Sequence, residues 1–229
     1  DGFYRRYFYV NGQRIHLVGG AWVPDMMLNR DDKRFDNEML LCQNANLNLV
    51  RIWGGGVTPP EPFWDAADRH GLLVWSDFWV TGDTQGEFKG SPDWPLEGNV
   101  FIRNVLSTIY RVRNHPSLLV WTGGNEGHAR RELYDAMRNN IIALDGTRPF
   151  IPSSSGFAKL PQGWEGSYPD NMPSGVYSGG PYAWRDPKIY YRLTDAGRDW
   201  VFKDETGIPS QPPYNTLAKV IPNLVWDTK

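Results

Sequence analysis

The chain reads as an α/β fold, a (β/α)8 barrel of TIM type whose repeat runs out before an eighth strand. Three observations predict it. Short apolar runs without polar alternation recur along the chain, the pattern of strands covered on both faces. Helical periodicities alternate with them, so the strands run parallel. Glycines or polar residues close the runs, Gly54–Gly56 and Gly123–Gly124 most clearly, where such strands deliver side chains to a rim.

Taken in order, Phe8–Val10 and Gln13–Ile15 flank Asn11–Gly12, which predicts a hairpin with a type I′ turn. Ile15–Trp22 is the first barrel strand. Asp31 or Asp32 caps a helix whose apolar positions are Phe35, Met39, Leu40 and Cys42. Asn48–Trp53 is the second strand, Pro60–His70 a helix stopped by Gly71, and Leu72–Phe78 the third strand. A polar loop over 81–95 leads to a helix over about 98–114 and then to the fourth strand, Leu118–Thr122. Arg130–Leu144 is a helix, and Thr147–Pro152 a short fifth strand ending in Ser153–Ser155. Residues 156–173 carry no periodicity and form a loop. Gly175–Ser178 is a sixth strand, Asp186–Ala196 a helix, Asp199–Glu205 the seventh strand, and about 214–220 a closing helix. Asn223–Trp226 is too short for an eighth. A doubly wound open sheet is the alternative, but no Gly-x-Gly-x-x-Gly follows any strand.

The 229 residues fit one domain over 1–229, and a 40% hydrophobic fraction suffices for its core. No apolar run reaches the roughly 18 residues of a membrane span, so no membrane is expected as a partner. A net charge of −2 with scattered basic residues argues against nucleic acid. The single cysteine, Cys42, forms no internal disulfide and is expected to be a small buried hydrophobe. Residues Asp1–Arg6 lack the apolar centre of a signal peptide, and no Asn-x-Ser/Thr acceptor occurs. The compartment stays open, with an extracytoplasmic one, periplasmic or secreted, favoured. Eleven Trp, eleven Tyr and ten Phe suit either a filled core or a pocket whose rings stack on sugars.

The strand ends gather the chemistry. They offer Trp22 and Asp25, Arg51 and Trp53, Asp77 and Trp79, Asn125 and Glu126, Asp204 and Glu205, with Tyr182 and Trp184 following the sixth strand. Carboxylates 79 positions apart in sequence, on strands four and seven, would face each other across one mouth. Two facing carboxylates serve glycoside hydrolysis, one protonating the leaving oxygen while the other attacks the anomeric carbon. Arg51 beneath them would keep the nucleophile ionised. Each residue also has a plainer reading. For Glu126 it is the opening of the next helix, where a carboxylate complements the dipole. Arg51 could form a structural ion pair, Asp77 could bind sugar hydroxyls or merely orient Arg51, and Trp53, Trp79 and Trp184 could stack on sugar or pack the rim. His128 reads as a surface residue at a helix start. The four dispersed His and the single Cys argue against a metal, no cofactor is expected, and without a Gly-x-Ser-x-Gly elbow Ser153–Ser155 make poor hydrolase nucleophiles.

Leu49–Gly56 and Gly71–Phe78 resemble the second and third barrel strands of β-mannosidases in glycoside hydrolase family 2. Arg113–Leu118 through Trp121–Glu126 resembles their passage into strand four. The resemblance runs from about residue 8 to residue 222, and Phe78–Asp83, Gly180–Tyr182 and Glu205–Gly207 extend it towards endo-β-mannosidases and exo-β-glucosaminidases. It implies a retaining enzyme with Glu126 as acid/base, Glu205 as nucleophile, Asn125 on the substrate 2-hydroxyl, and Arg51 and Tyr182 on the nucleophile. Its substrate is an oligosaccharide or glycan with a β-mannoside or β-glucosaminide bond. The family's Ser-Glu-Phe-Gly is here Asp204–Gly207, which leaves Asp204 a competitor of Glu205. The family's flanking β-sandwich domains are missing, so the chain reads as an excised catalytic domain with further domains in its parent. A non-catalytic carbohydrate-binding barrel or scaffold fragment is the alternative. The mechanism requires Glu126 protonated by burial and a neighbouring carboxylate, and Glu205 ionised.

Overall fold

The computed structural model describes residues 7–25, 27–81, 95–127, 129–154, 180, 182–184, 186, 188, 202–203, 205–207, 211–221 and 223. Among these, β1 (Phe8–Val10) and β2 (Gln13–Ile15) form the expected hairpin. Asn11 and Gly12 both take positive φ, 50° and 79°, as a type I′ turn requires. The barrel elements follow as β3 (Gly19–Trp22), α1 (Asp32–Asn44), β4 (Leu49–Ile52), α2 (Glu61–His70), β5 (Leu73–Asp77), α3 (Gly98–Val112), β6 (Leu118–Thr122), α4 (Arg131–Leu144) and β7 (Phe150–Ile151). A last helix, α5, covers Tyr214–Val220. The expected sixth strand, the loop over 156–173 and most of the 186–196 helix and seventh strand lie outside the described residues.

The order of the sheet decides between the two α/β architectures. Its strands run β3-β4-β5-β6-β7, all parallel, with no reversal of order. A doubly wound sheet reverses its strand order at a switch point; a barrel does not. The faces agree. Val50, Ile52, Val74 and Trp121 pack with Phe35 and Met39 of α1, Phe63 and Trp64 of α2, Val105 and Ile109 of α3, and Leu133 and Met137 of α4. The opposite face carries a separate cluster, Leu17, Leu49, Trp75, Val120 and Ile151, to which no described helix contributes. Helices thus cover one side, and the other side is a barrel interior. Phe202 reaches that interior, stacked on Trp75 at 5.4 Å between centroids and edge-on to Phe8 at 5.2 Å.

Local chemistry sets the element limits. Asp31 accepts the Lys33 amide and caps α1. Gly71, at φ 69°, ends α2 in the left-handed form. On α1 the buried stripe is Phe35 and Met39, with Cys42 half-buried against the core and its thiol pushed up by burial and by Glu38. Leu40 stands off that stripe and is 38% exposed, so the helix face is narrower than the sequence suggests. β6 carries a bulge: Val74 pairs with Leu118 and Trp75 with Val120, leaving Leu119 extra.

Candidate active site

One alternation step beyond Leu49 and Trp75, β4 and β5 place Arg51 and Asp77 on the interior side, each only 2% exposed. Arg51 Nε donates to Asp77 Oδ1 at 3.3 Å and Nη2 to Oδ2 at 2.6 Å, a two-pronged charged pair. Nη2 also donates to Asn125 Oδ1 at 2.7 Å. Nη1 reaches Glu205 Oε2 at 3.4 Å, across 154 residues of sequence. Asp77 Oδ2 additionally accepts the Gly54 amide at 3.2 Å. Burial raises the Asp77 pKa, against the Arg51 guanidinium and the Gly54 amide, which pull it down. Both readings of Arg51 thus hold together: it is a buried ion-pair partner of Asp77 and it also contacts Glu205.

Glu205 receives a second donor, the Tyr182 hydroxyl, at 3.0 Å from Oε1. Its carboxylate is therefore held at both oxygens, one by a cation and one by a phenol. The competing carboxylate, Asp204, lies outside the described residues. Beside it Lys203 donates to the Gly180 carbonyl at 2.8 Å and ties this segment to the one carrying Tyr182.

Glu126 is mounted differently. α4 starts at Arg131, and Glu132 is the acid of its first turn, so Glu126 is not a helix-opening carboxylate. It takes φ 58°, a left-handed conformation that costs a non-glycine residue about 1–2 kcal/mol. Its amide donates to Ser154 Oγ at 2.9 Å. The preceding glycines serve close approach rather than an unusual φ. A Cβ at Gly124 would lie 2.9 Å from the Val80 carbonyl oxygen, and one at Gly54 2.9 Å from that of Phe78. The left-handed turn itself falls on Glu126. The residue is exposed rather than buried as the sequence leads one to expect.

Asn125 is 3% exposed, with its amide nitrogen donating to Thr81 Oγ1 at 3.2 Å and its backbone amide to the Val80 carbonyl at 2.7 Å. Trp53 is half-buried, its ring over Gly55. Trp79 packs edge-on to Phe78 and Phe101 and donates Nε1 to Thr58 Oγ1 at 3.2 Å. Trp184 is 69% exposed and stands outside the Arg51 network. At the end of β3, Trp22 donates to Glu38 and Asp25 pairs with Arg34 at 2.6 Å, so both are engaged by α1. Among the described residues, Glu61, Asp65 and His115 have ligand atoms within 4.8 Å of one another. His115 there bonds Asp68 through Nδ1 at 2.6 Å and Glu61 through Nε2 at 3.0 Å, a strut between α2 and the turn before β6. His128 lies outside the described residues.

Three contributors escaped the sequence reading. Ser154 was dismissed as a nucleophile, although its place just past a barrel strand was a signal. Thr81 sits within a quoted family stretch. Arg148, on the way into β7, donates to the carbonyls of Arg113, His115 and Leu118 at 2.6, 2.9 and 2.8 Å and fixes the entry to β6.

The model of the glycosyl hydrolases family 2 TIM barrel domain matches residues 8–160. The chain belongs to glycosyl hydrolase family 2. Among its family 2 relatives, the mannosylglycoprotein endo-beta-mannosidase of Lilium longiflorum is 30% identical over 96% of this chain and 25% of its own length. The beta-mannosidase of Bos taurus is 29% identical over 96% of this chain and 27% of its own. The crystal structure of the Amycolatopsis orientalis exo-chitosanase CsxA matches with a TM-score of 0.74 and 27% identity, covering 88% of this chain and 23% of that one. This family 2 chain thus spans about a quarter of the length of the curated relatives it matches, and its five-stranded sheet is part of a TIM barrel.

Proposed function

We propose that this chain carries the catalytic centre of a retaining β-glycosidase acting on β-mannosides or β-glucosaminides, within a parent protein that has further domains. The observation that carries the reading is the Glu205 carboxylate, gripped between Arg51 and Tyr182 at a barrel mouth that also presents Glu126. The names of the relatives support the substrate class.

In the proposed reaction Glu126, as general acid, gives its proton to the glycosidic oxygen while Glu205 attacks the anomeric carbon. The old C–O bond breaks, the ester to Glu205 forms, and the aglycone leaves as an alcohol. Glu126, now a carboxylate, takes a proton from water. That water displaces Glu205 from the opposite face, so two inversions leave the configuration retained. Arg51 and Tyr182 orient the Glu205 carboxyl group for its attack as the nucleophile. Asn125, fixed by Arg51 and Thr81, keeps one amide hydrogen and one lone pair for a substrate hydroxyl. The retaining assignment requires the two carboxyl groups to lie about 5–5.5 Å apart in the sugar-bound enzyme.

The test uses the full-length protein and aryl β-mannoside, β-glucosaminide and β-galactoside substrates. Glu205→Ala is expected to lower turnover on the order of 10³-fold or more, with azide restoring product as a glycosyl azide of inverted configuration. Azide rescue of Asp204→Ala in its place would overturn the nucleophile assignment. Binding of these sugars without turnover by the wild type would leave the non-catalytic barrel as the reading.

A further inference from the structure

Resting on the acid/base reading of Glu126, the geometry points to Ser154 as the positioning residue that sets the direction of that carboxylate. β7 ends at Ile151, and the chain then carries Ser153 and Ser154 into full burial, 1% and 0% exposed. Ser154 bonds the end of β6 twice. Its amide donates to the Gly124 carbonyl at 3.1 Å, and its hydroxyl oxygen accepts the Glu126 amide at 2.9 Å. One residue thus straddles Asn125 and fixes the main chain on either side of it.

The opposite edge of the same three residues is held by main chain. The Asn125 amide donates to the Val80 carbonyl at 2.7 Å, and Thr81 bridges Asn125 in parallel fashion. Between these two anchors the chain must turn, and it turns at Glu126 with φ 58°. A residue in the left-handed region directs its side chain away from where an extended one would. Without an anchor at its amide the main chain at Glu126 would relax towards the ordinary region, and the Cα–Cβ direction would turn with it. The Ser154 hydroxyl opposes that relaxation: it accepts the one amide whose orientation defines the turn. It does so without bringing a charge to the acid, since a nearby cation would favour the ionised carboxylate and weaken it as a proton donor. The hydroxyl therefore acts in this site through its acceptor oxygen. In the glycosylation step it moves no proton; the proton passes from the Glu126 carboxyl to the leaving oxygen.

This assignment separates substrates by their need for protonation. In the full-length protein, Ser154→Ala is expected to lower kcat/KM about 10- to 100-fold on a methyl or disaccharide β-glycoside, whose leaving oxygen must be protonated. On the dinitrophenyl β-glycoside, whose leaving group departs as an anion, kcat/KM should stay within about twofold. The rate of covalent labelling of Glu205 by a fluorosugar with a dinitrophenyl leaving group should also be unchanged, which shows that the variant is folded and its nucleophile intact. Ser154→Thr, which keeps the hydroxyl, should recover activity on the methyl glycoside. Equal losses on both substrate types, or no loss on either, would overturn the role of Ser154. Failure of the wild type to be labelled at Glu205 would instead overturn the underlying catalytic reading, so the two failures are distinguishable.

Discussion

The two carboxylates at the barrel mouth are mounted by opposite means. Glu205 is held at its oxygens, by the guanidinium of Arg51 and the hydroxyl of Tyr182. Glu126 is held at its backbone amide, by a neutral serine, and the main chain around it does the aiming. The difference teaches what each task requires. Glu205, the proposed nucleophile, is oriented through its two oxygens by a cation and a phenol. Glu126, the proposed proton donor, is oriented through its main chain by a left-handed turn and an uncharged anchor. The Arg51 side is deep, with arginine and aspartate both 2% exposed, whereas Glu126 stands exposed.

The largest test of this contrast removes the charged mount. Arg51→Ala leaves the Asp77 carboxylate buried without its cation, and such breakage typically costs about 3–5 kcal/mol. Urea unfolding of Arg51→Ala against the wild type is expected to show a loss of that size. A loss below about 1 kcal/mol would mean that the pair contributes orientation alone. Tyr182→Phe is a finer cut. Tyr182 is 50% exposed, so folding stability should be unaffected. Removing one hydrogen bond to a charged group should lower kcat/KM about tenfold, uniformly across leaving groups. That uniformity, measured on the same methyl and dinitrophenyl glycosides, would contrast with the selective loss expected on the Glu126 side.

The smallest effect concerns the fold's own titration, which underlies any pH profile of the two mounts. Burial works to lower the His115 pKa, but the Asp68 and Glu61 carboxylates outweigh it and hold the pKa above the ordinary value. A raised histidine pKa stabilises the fold fully below the unfolded value of about 6.5 and ceases to do so as pH rises through the folded value. The wild type should therefore lose this contribution as pH rises above about 6.5 and through the raised folded value, by less than about 1 kcal/mol given the exposed Glu61. His115→Gln should flatten that slope in thermal melts. An unchanged slope would assign it to other groups.

How much of this was legible in the sequence follows from the range of the interactions. Arg51 and Asp77 were readable because each lies in an apolar strand run whose alternation puts both on one side, and Asn125 because it directly follows the glycines that end such a run. The hairpin, the Asp31 cap and the Gly71 stop are local and were read from local residues. The bulge at Leu119 had no local signal, because it arises from pairing with β5, over forty residues earlier in the chain. The left-handed turn falls on Glu126, where no glycine signals it, while Gly54 and Gly124 serve the close approach of Phe78 and Val80. Asp25 looked like a strand-end acid until Arg34 paired with it. Ser154 was judged as a nucleophile and found wanting, while its use as an acceptor depends on a partner 28 residues away.

The tight seam at Gly54 and Gly124 has a consequence for the barrel mouth. Because neighbouring main chains meet there with no room for a methyl group, the frame that carries Asn125 and Glu126 is set by strand-to-strand distance. A side chain at either glycine would push these strand ends apart and carry Asn125 and Glu126 with them.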